Sequence, residues 1–261
     1  MNNCIVSSKT TRTNKNDYIF KEKIDTSSDA DIYIAKSVKN SKEYIIKSRP
    51  ISSQIENELK VCKLLNHPNI RYIFDYFIEN DKINLVYPLL INSYPLSLII
   101  NTAFYYKDFL PYLMKLFKAV EYMHSQNIVH RDIKPDNIII HGGNIMLIDL
   151  GLATFTDSFT RKVSGTLGYV APELLRNDKI VYHEKIDVYG LGVTMYYCFN
   201  LGRLPYGTDR ISVLESKARS PPNPSNCSCI KINKLINGMI NFSVAHRLSM
   251  TIAVDSLKNL L

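Results

Sequence analysis

At 261 residues and 29.9 kDa, with 46% hydrophobic residues, the chain is long enough for one large domain or for two lobes sharing a cleft, and its apolar content supplies a substantial core. Its formal charge of +8 and pI near 9.1 come from basic residues spread along the sequence rather than clustered with aromatics, which argues against direct nucleic-acid binding and suits acidic protein partners. The five cysteines (Cys4, Cys62, Cys198, Cys227, Cys229) lack the two-residue spacer of zinc and redox motifs, and no apolar run approaches the roughly 20 residues that span a bilayer; both point to an intracellular protein with reduced thiols and no membrane association.

Residues 1–16, "MNNCIVSSKTTRTNKN", have no apolar signal-peptide core and are expected to form a disordered tail. From 17 to 90 the pattern is strand-like: "YIFKEKI", "DIYIAKSV" and "KEYIIKS" are short β-branched and aromatic runs between polar turns. One helix interrupts them, "SSQIENELKVCKLLN", with apolar residues at Ile55, Leu59, Cys62 and Leu65 and a stop at "HPN". The runs "RYIFDYFIE" and "KINLVYPLL" complete a small sheet. From 91 to 261 the character is mainly helical, beginning with "KDFLPYLMKLFKAVEYMHSQ", in which Phe109, Leu113, Leu116, Phe117, Val120 and Met123 recur at helical spacing behind an Asp108 cap. "NIIIHGGNIMLID" reads as a hairpin turning at Gly142-Gly143, and "KIDVYGLGVTMYYCFN", apolar nearly all round, as a buried central helix.

Three runs carry chemistry: "HRDIKPDN" (130 to 137), "IDLG" (148 to 151) and "GTLGYVAPE" (165 to 173). Together and in this order they resemble the eukaryotic-type serine/threonine protein kinases, from about residue 17 onward. The resemblance implies an α+β, bilobal protein-kinase fold: a small antiparallel β-sheet lobe with one helix, and a larger mainly helical lobe. It also implies ATP and Mg2+ as cofactors and a protein substrate. Phosphoryl transfer asks the protein chiefly for positioning and charge neutralisation. In that frame Asp132 orients or accepts the proton of the substrate hydroxyl, Lys134 neutralises the moving phosphoryl group, Asn137 and Asp149 hold magnesium, and the 142–143 hairpin brings these two together. Thr166 is expected to contact Asp132 and Lys134, Glu173 to pair with Arg247, and Asp187 to anchor the backbone of the catalytic loop. Arg131 matches an arginine that receives an activation-segment phosphate, with Thr154, Thr156, Ser158, Thr160 and Ser164 as hydroxyl candidates.

By the same resemblance Lys47 of "EYIIK" is the strand lysine that pairs with a helical glutamate, Glu58, ten residues before Pro68; Glu56 is the alternative. Fifteen residues separate Ile32 from Lys47, and this register puts Asp25, Ser27 and Ala30 where the family carries three loop glycines. Those glycines let backbone N–H groups approach the phosphates. Asp25, Asp29 and Asp31 add negative charge; one acid about 8 Å from a phosphate costs on the order of 2 kcal/mol before screening. Ile24, Ile32, Ile45 and Ile139 are expected around the base, with Ile45 crowding it and Leu150 standing in for the usual phenylalanine of the metal-binding triplet.

The register makes Tyr87 the gatekeeper, Pro88 the first hinge residue and Leu90 the third. Adenine recognition in the family uses the carbonyl of the first and the N–H of the third, so proline is tolerable at 88 and would not be at 90. Proline there, with "IENEL" and "DRISVLE", is similar to the cell-division-cycle kinases that fire replication origins, the Dbf4-dependent group. This narrower likeness implies a nuclear location, an activating regulatory subunit and a role in cell division; otherwise nucleus and cytoplasm stay open. The alternative to an active kinase is a pseudokinase scaffold with little ATP turnover, because the loop glycines are lost.

Overall fold

In the computed structural model, residues 14–26, 30–99, 106–160, 163–175, 180–207, 220–225 and 227–261 are described. Residues 1–13 of the expected 1–16 tail, the loop positions Ser27 and Asp29, and the "DRISVLE" segment lie outside them; the end of that tail is ordered, since Lys15–Asp17 form a 3-10 turn capped by Asn14. The chain divides into two compact units, Met1–Asn92 and Ser93–Leu261.

The first unit is built on a five-stranded antiparallel sheet in the order β1-β2-β3-β5-β4. The strands are β1 (Tyr18–Thr26), β2 (Asp31–Ser37), β3 (Glu43–Pro50), β4 (Asp75–Glu79) and β5 (Lys82–Pro88). Between β3 and β4 runs helix α1 (Ser53–Leu64), whose N-cap Ser52 accepts the Ile55 N–H on its side chain. Its buried positions are Ile55, Glu58, Val61 and Cys62; Leu59 is only half-buried, and Val61 takes the inner place expected of it. The sheet core contains Tyr18, Ala35, Tyr44, Ile46, Phe77 and Val86. Because side chains alternate along a strand, Tyr44 and Ile46 facing this core put Ile45, Lys47 and Arg49 on the opposite face.

The second unit is mainly helical: α2 (Leu96–Ile99), α3 (Tyr106–Ser125), α4 (Lys185–Phe199), α5 (Ile230–Met239) and α6 (Met250–Lys258). All six apolar α3 residues expected inside are buried. Asp108, however, is no cap: the helix starts earlier, at Tyr106, and Asp108 sits in its first turn, where a carboxylate suits the helix dipole. Helix α4 is buried continuously from Ile186 to Tyr196. Short strands connect the helices: β6 (Ser93–Pro95), β7 (Ile128–Val129), β8 (Ile138–His141), β9 (Asn144–Leu147), β10 (Thr154–Phe155), β11 (Phe159–Thr160) and β12 (Ile180–Val181). Strands β8 and β9 form the expected hairpin, closed by Gly142 and Gly143 at φ 53° and 71°, a pair of left-handed positions that glycine adopts without strain. Among the described residues no helix is long and apolar enough to cross a membrane, and Cys62, Cys198, Cys227 and Cys229 are free thiols.

Candidate active site

The catalytic loop hangs on Asp187, in the first turn of α4 and 1% exposed. Its Oδ2 accepts the His130 N–H at 2.7 Å and its Oδ1 the Arg131 N–H at 2.8 Å. His124 of α3 closes the cage, with Nε2 3.0 Å from Oδ2. Burial by itself would raise the Asp187 pKa; the His124 hydrogen bond, the neighbouring His124 and His130 and the backbone donor outweigh it and hold the carboxyl below its usual range. His130 extends the lattice: its Nε2 donates to the Ile148 carbonyl at 3.1 Å, and the Asp132 N–H lies 3.3 Å from its Nδ1. Arg131 and Asp149 take φ of 70° and 60°, left-handed conformations that cost non-glycine residues free energy and collect at functional sites.

This frame presents Asp132 to three partners. The Thr166 N–H donates to its Oδ1 at 2.9 Å, Asn137 Nδ2 donates to its Oδ2 at 3.1 Å, and Lys134 Nζ lies 3.0 Å from Oδ2. Lys134 also donates to Thr166 Oγ1 at 2.7 Å, so the contact expected between Thr166 and both residues is present. Thr166 arrives there because Gly165, at φ 108°, passes hard against the loop: a Cβ on it would stand 2.7 Å from the Arg131 carbonyl. Asn137 also donates Nδ2 to the Asp132 carbonyl at 2.9 Å, so its amide nitrogen is committed to Asp132 and its oxygen is the end it can offer a cation.

The hairpin carries the chain back in register, Ile138 opposite Leu147 and Ile139 opposite Met146, and the Ile148 N–H donates to the Asn137 carbonyl at 2.9 Å. Asp149 follows directly, with Oδ1 accepting the Gly151 N–H at 3.4 Å. The oxygens of Asn137 and Asp149 are hard donors of the kind magnesium takes, one or two protein groups with the rest of its octahedron left for phosphate and water. Groups of three or more His, Cys, Asp or Glu that could cage a metal are absent among the described residues. Leu150 is buried and Ile139 half-buried.

Arg131 reaches the activation segment. Its Nε donates to the Leu152 carbonyl, its Nη1 donates to Ser164 Oγ at 3.3 Å, and its guanidinium lies 4.4 Å from the Tyr182 ring centroid. Of the five hydroxyl candidates, Ser164 is the one seen bonded to this arginine; the Thr160 side chain lies outside the described residues. Beyond it, Arg247 holds Glu173 bidentately, Nη1 to Oε1 at 2.7 Å and Nη2 to Oε2 at 2.8 Å, and its side chain is 0% exposed.

In the first unit Lys47 Nζ is 3.2 Å from Glu58 Oε1, while Glu56, in the first turn of α1, is exposed. Glu58 has two further partners: Arg49 Nη1 donates to Oε2 at 3.2 Å and the Tyr87 hydroxyl to Oε1 at 3.4 Å. Ile45 lies opposite Ile34 and Tyr87 in the sheet, Ile32 opposite Lys47, and Ile24 is exposed. Pro88 ends β5 and Leu90 follows two residues on, both half-buried. The Pro88 carbonyl accepts a hydrogen bond from Arg71 Nη2 at 3.2 Å.

One expectation about the loop is corrected. Asp31 is not a bare negative charge, because Lys23 and Lys82 sit 2.7 and 3.1 Å from its two oxygens. The Lys23 hydrogen bond, then that from Lys82, holds its pKa below the usual carboxylate range. Opposite charges this close cancel most of the repulsion assigned to it. Thr26 pairs with Asp31 and Asp25 with Ile32, so the hairpin expected there is formed on either side of residues 27–29.

Sequence reasoning did not single out His124, Arg49 or Arg71. Arg49 carried a usable signal, two residues after Lys47 on the same strand face. His124 and Arg71 carried none, since each meets its partner only through packing.

The chemistry assembled in these groups is that of phosphoryl transfer, and the class is that of the ATP-dependent serine/threonine protein kinases. Comparison with known proteins agrees: residues 22–257 match the protein kinase domain, and the chain belongs to that family. It is 34% identical over 200 residues to a serine/threonine-protein kinase of Acanthamoeba polyphaga mimivirus, which spans 72% of each chain. It is also 35% identical over 151 residues to an Aurora kinase of Eremothecium gossypii, and 33% over 171 residues to a serine/threonine-protein kinase of Enterocytozoon bieneusi. These matches cover 56% and 64% of this chain but only 40% and 28% of the two relatives.

Proposed function

We propose that the chain is a turning-over kinase rather than a pseudokinase scaffold, and that it transfers the γ-phosphoryl group of ATP to serine or threonine hydroxyls of a protein substrate. The observation that carries this reading is the Asp132 carboxylate, held at once by Thr166, Asn137 and Lys134 within 3.1 Å. A carboxylate fixed in this way can orient a hydroxyl and take up its proton without reorganising. Lys134 neutralises charge on the group in transit, and Asn137 with Asp149 hold the magnesium. Held by Asn137 and Asp149, magnesium would offset the charge of the phosphates. Lys47, oriented by Glu58, supplies a cation for the phosphates. Ile24, Ile32, Ile45 and Ile139 supply apolar surface for the base, and the Pro88 carbonyl and Leu90 N–H its polar contacts. The missing loop glycines weaken phosphate cover without removing any of these charged groups.

A narrower kinship, with the origin-firing cell-division-cycle kinases, is supported by Pro88 at the first hinge position. It brings an activating regulatory subunit and a nuclear location with it; without it, the free-thiol composition supports an intracellular protein.

The test is labelling with Mg-ATP. Purified chain should label Ser or Thr on a generic protein or on itself, and Asp132→Asn should abolish the label. Label surviving in that variant would remove Asp132 from its role. Absence of label with every added regulatory subunit would leave the scaffold reading, and label only with such a subunit would favour the narrower kinship.

A further inference from the structure

Lys47 and Arg49 stand two residues apart on β3, so strand alternation puts both side chains on the face away from the sheet core. Both reach Glu58 of α1, whose side chain is 0% exposed. The two carboxylate oxygens are divided between them. Lys47 Nζ lies 3.2 Å from Oε1, where the Tyr87 hydroxyl also donates at 3.4 Å, and Arg49 Nη1 donates to Oε2 at 3.2 Å. The Arg49 side chain is itself only 10% exposed, so solvent and salt screen this contact little.

The consequence concerns Lys47. A buried carboxylate without a donor on Oε2 would draw the lysine ammonium across both of its oxygens, and an incoming phosphate would have to compete with it for that cation. With a guanidinium on Oε2, the ammonium is left to Oε1 and part of the carboxylate charge is already balanced. Glu58 then aims Lys47 without tying it up. Arginine suits this task, since it keeps its charge at any working pH and its planar fork holds a fixed direction toward a carboxylate.

We propose that Arg49 is a positioning residue for nucleotide binding: by balancing Glu58 through Oε2 it leaves the Lys47 ammonium available to the phosphates. The inference rests on the reading of Lys47 given above, as the cation that this strand supplies to ATP. It concerns the phosphates alone, because the base and sugar carry no charge for Lys47 to meet. Removing the guanidinium charge while keeping a donor for Oε2 should therefore weaken a nucleoside triphosphate and spare the bare nucleoside.

The test is equilibrium binding by calorimetry on the full chain, with Mg-ATP and adenosine as the two probes. Arg49→Gln should raise the Mg-ATP dissociation constant roughly tenfold and leave that of adenosine within about twofold. The same substitution in a Glu58→Gln background, where no carboxylate remains to be balanced, should change Mg-ATP affinity by no more than about threefold. Thermal unfolding checks that each constant is taken on folded protein, and if Arg49→Gln alone does not fold, the Glu58→Gln pair still decides. Unchanged Mg-ATP affinity in Arg49→Gln, an equal loss for adenosine, or a full tenfold loss in the Glu58→Gln background each overturns the inference and leaves the kinase reading intact. Failure of the unaltered protein to bind Mg-ATP overturns the inference together with the reading beneath it.

Discussion

The Arg49 guanidinium lies 3.2 Å from Oε2 of Glu58, the carboxylate whose Oε1 holds Lys47 at the same distance. One fully buried acid thus has two cations, and only one of them is the expected phosphate anchor. Lys47→Met should therefore leave Glu58 paired and cost no more than about 1 kcal/mol of stability, while lowering phosphotransfer by roughly 10²- to 10³-fold. The double variant Lys47→Met, Arg49→Met strands the carboxylate and should cost about 3 to 5 kcal/mol. Denaturant unfolding of the two single variants and the double variant measures the coupling; simple additivity would count against shared pairing.

Glu173 and Arg247 offer a different outcome, because among the described residues neither has a second opposite charge as close: Arg247 otherwise donates to the Asn241 and Lys185 carbonyls, while His183 stands 3.8 Å from Glu173, and burial, its largest influence, lowers the His183 pKa. Arg247→Met should cost about 3 to 5 kcal/mol, a fall in Tm of roughly 6 to 20 °C in a chain of this size. Adding Glu173→Gln should recover part of the loss, since it removes the stranded charge. Thermal unfolding of the single and double variants reads this directly.

Asp187 predicts an acid limb. Its folded pKa lies below the ordinary value of 3.8, so the stability it contributes is fully present above that value and lost as pH falls through the lower, folded one. Stability of the unaltered protein should fall steeply below about pH 4, and Asp187→Asn, although less stable at neutral pH, should show a shallower fall in that window. Denaturant midpoints taken across the range supply the comparison; identical slopes would mean that other carboxyls govern acid unfolding.

The phosphate loop gives a paired prediction. Glycine at 25, 27 and 30 together should lower the KM for ATP, and no change would make the loop irrelevant to binding. Asp31→Asn should leave that KM within about twofold, because Lys23 and Lys82 already balance the charge it removes.

Much of the fold was legible before the structure. The β8–β9 hairpin could be placed from Gly142-Gly143 because a two-residue turn with both φ positive selects glycine. Helix α4 could be placed from an apolar run too long for a strand. The start of α3 could not, because Asp108 is as good in a first turn as at a cap, and the residue type does not distinguish them. The Glu173 to Arg247 contact was expected from motif likeness alone, across a separation of 74 residues that no local pattern bridges.

By itself the sequence determined the chemistry of this protein. Asp132, Lys134 and Asn137 fall within one short loop, a hairpin of fixed length leads to Asp149, and strand alternation sets Lys47 on the face away from the sheet core. Those placements follow from local geometry, where spacing dictates direction. What only the tertiary structure decided is how the charges around that chemistry are balanced: His124 closing the cage on Asp187, Arg49 sharing Glu58, two lysines quieting Asp31, and Arg71 donating to the Pro88 carbonyl. Each joins residues from different elements. Coulomb energy and hydrogen bonding depend on distances of a few ångströms that packing sets, and a linear sequence does not record them.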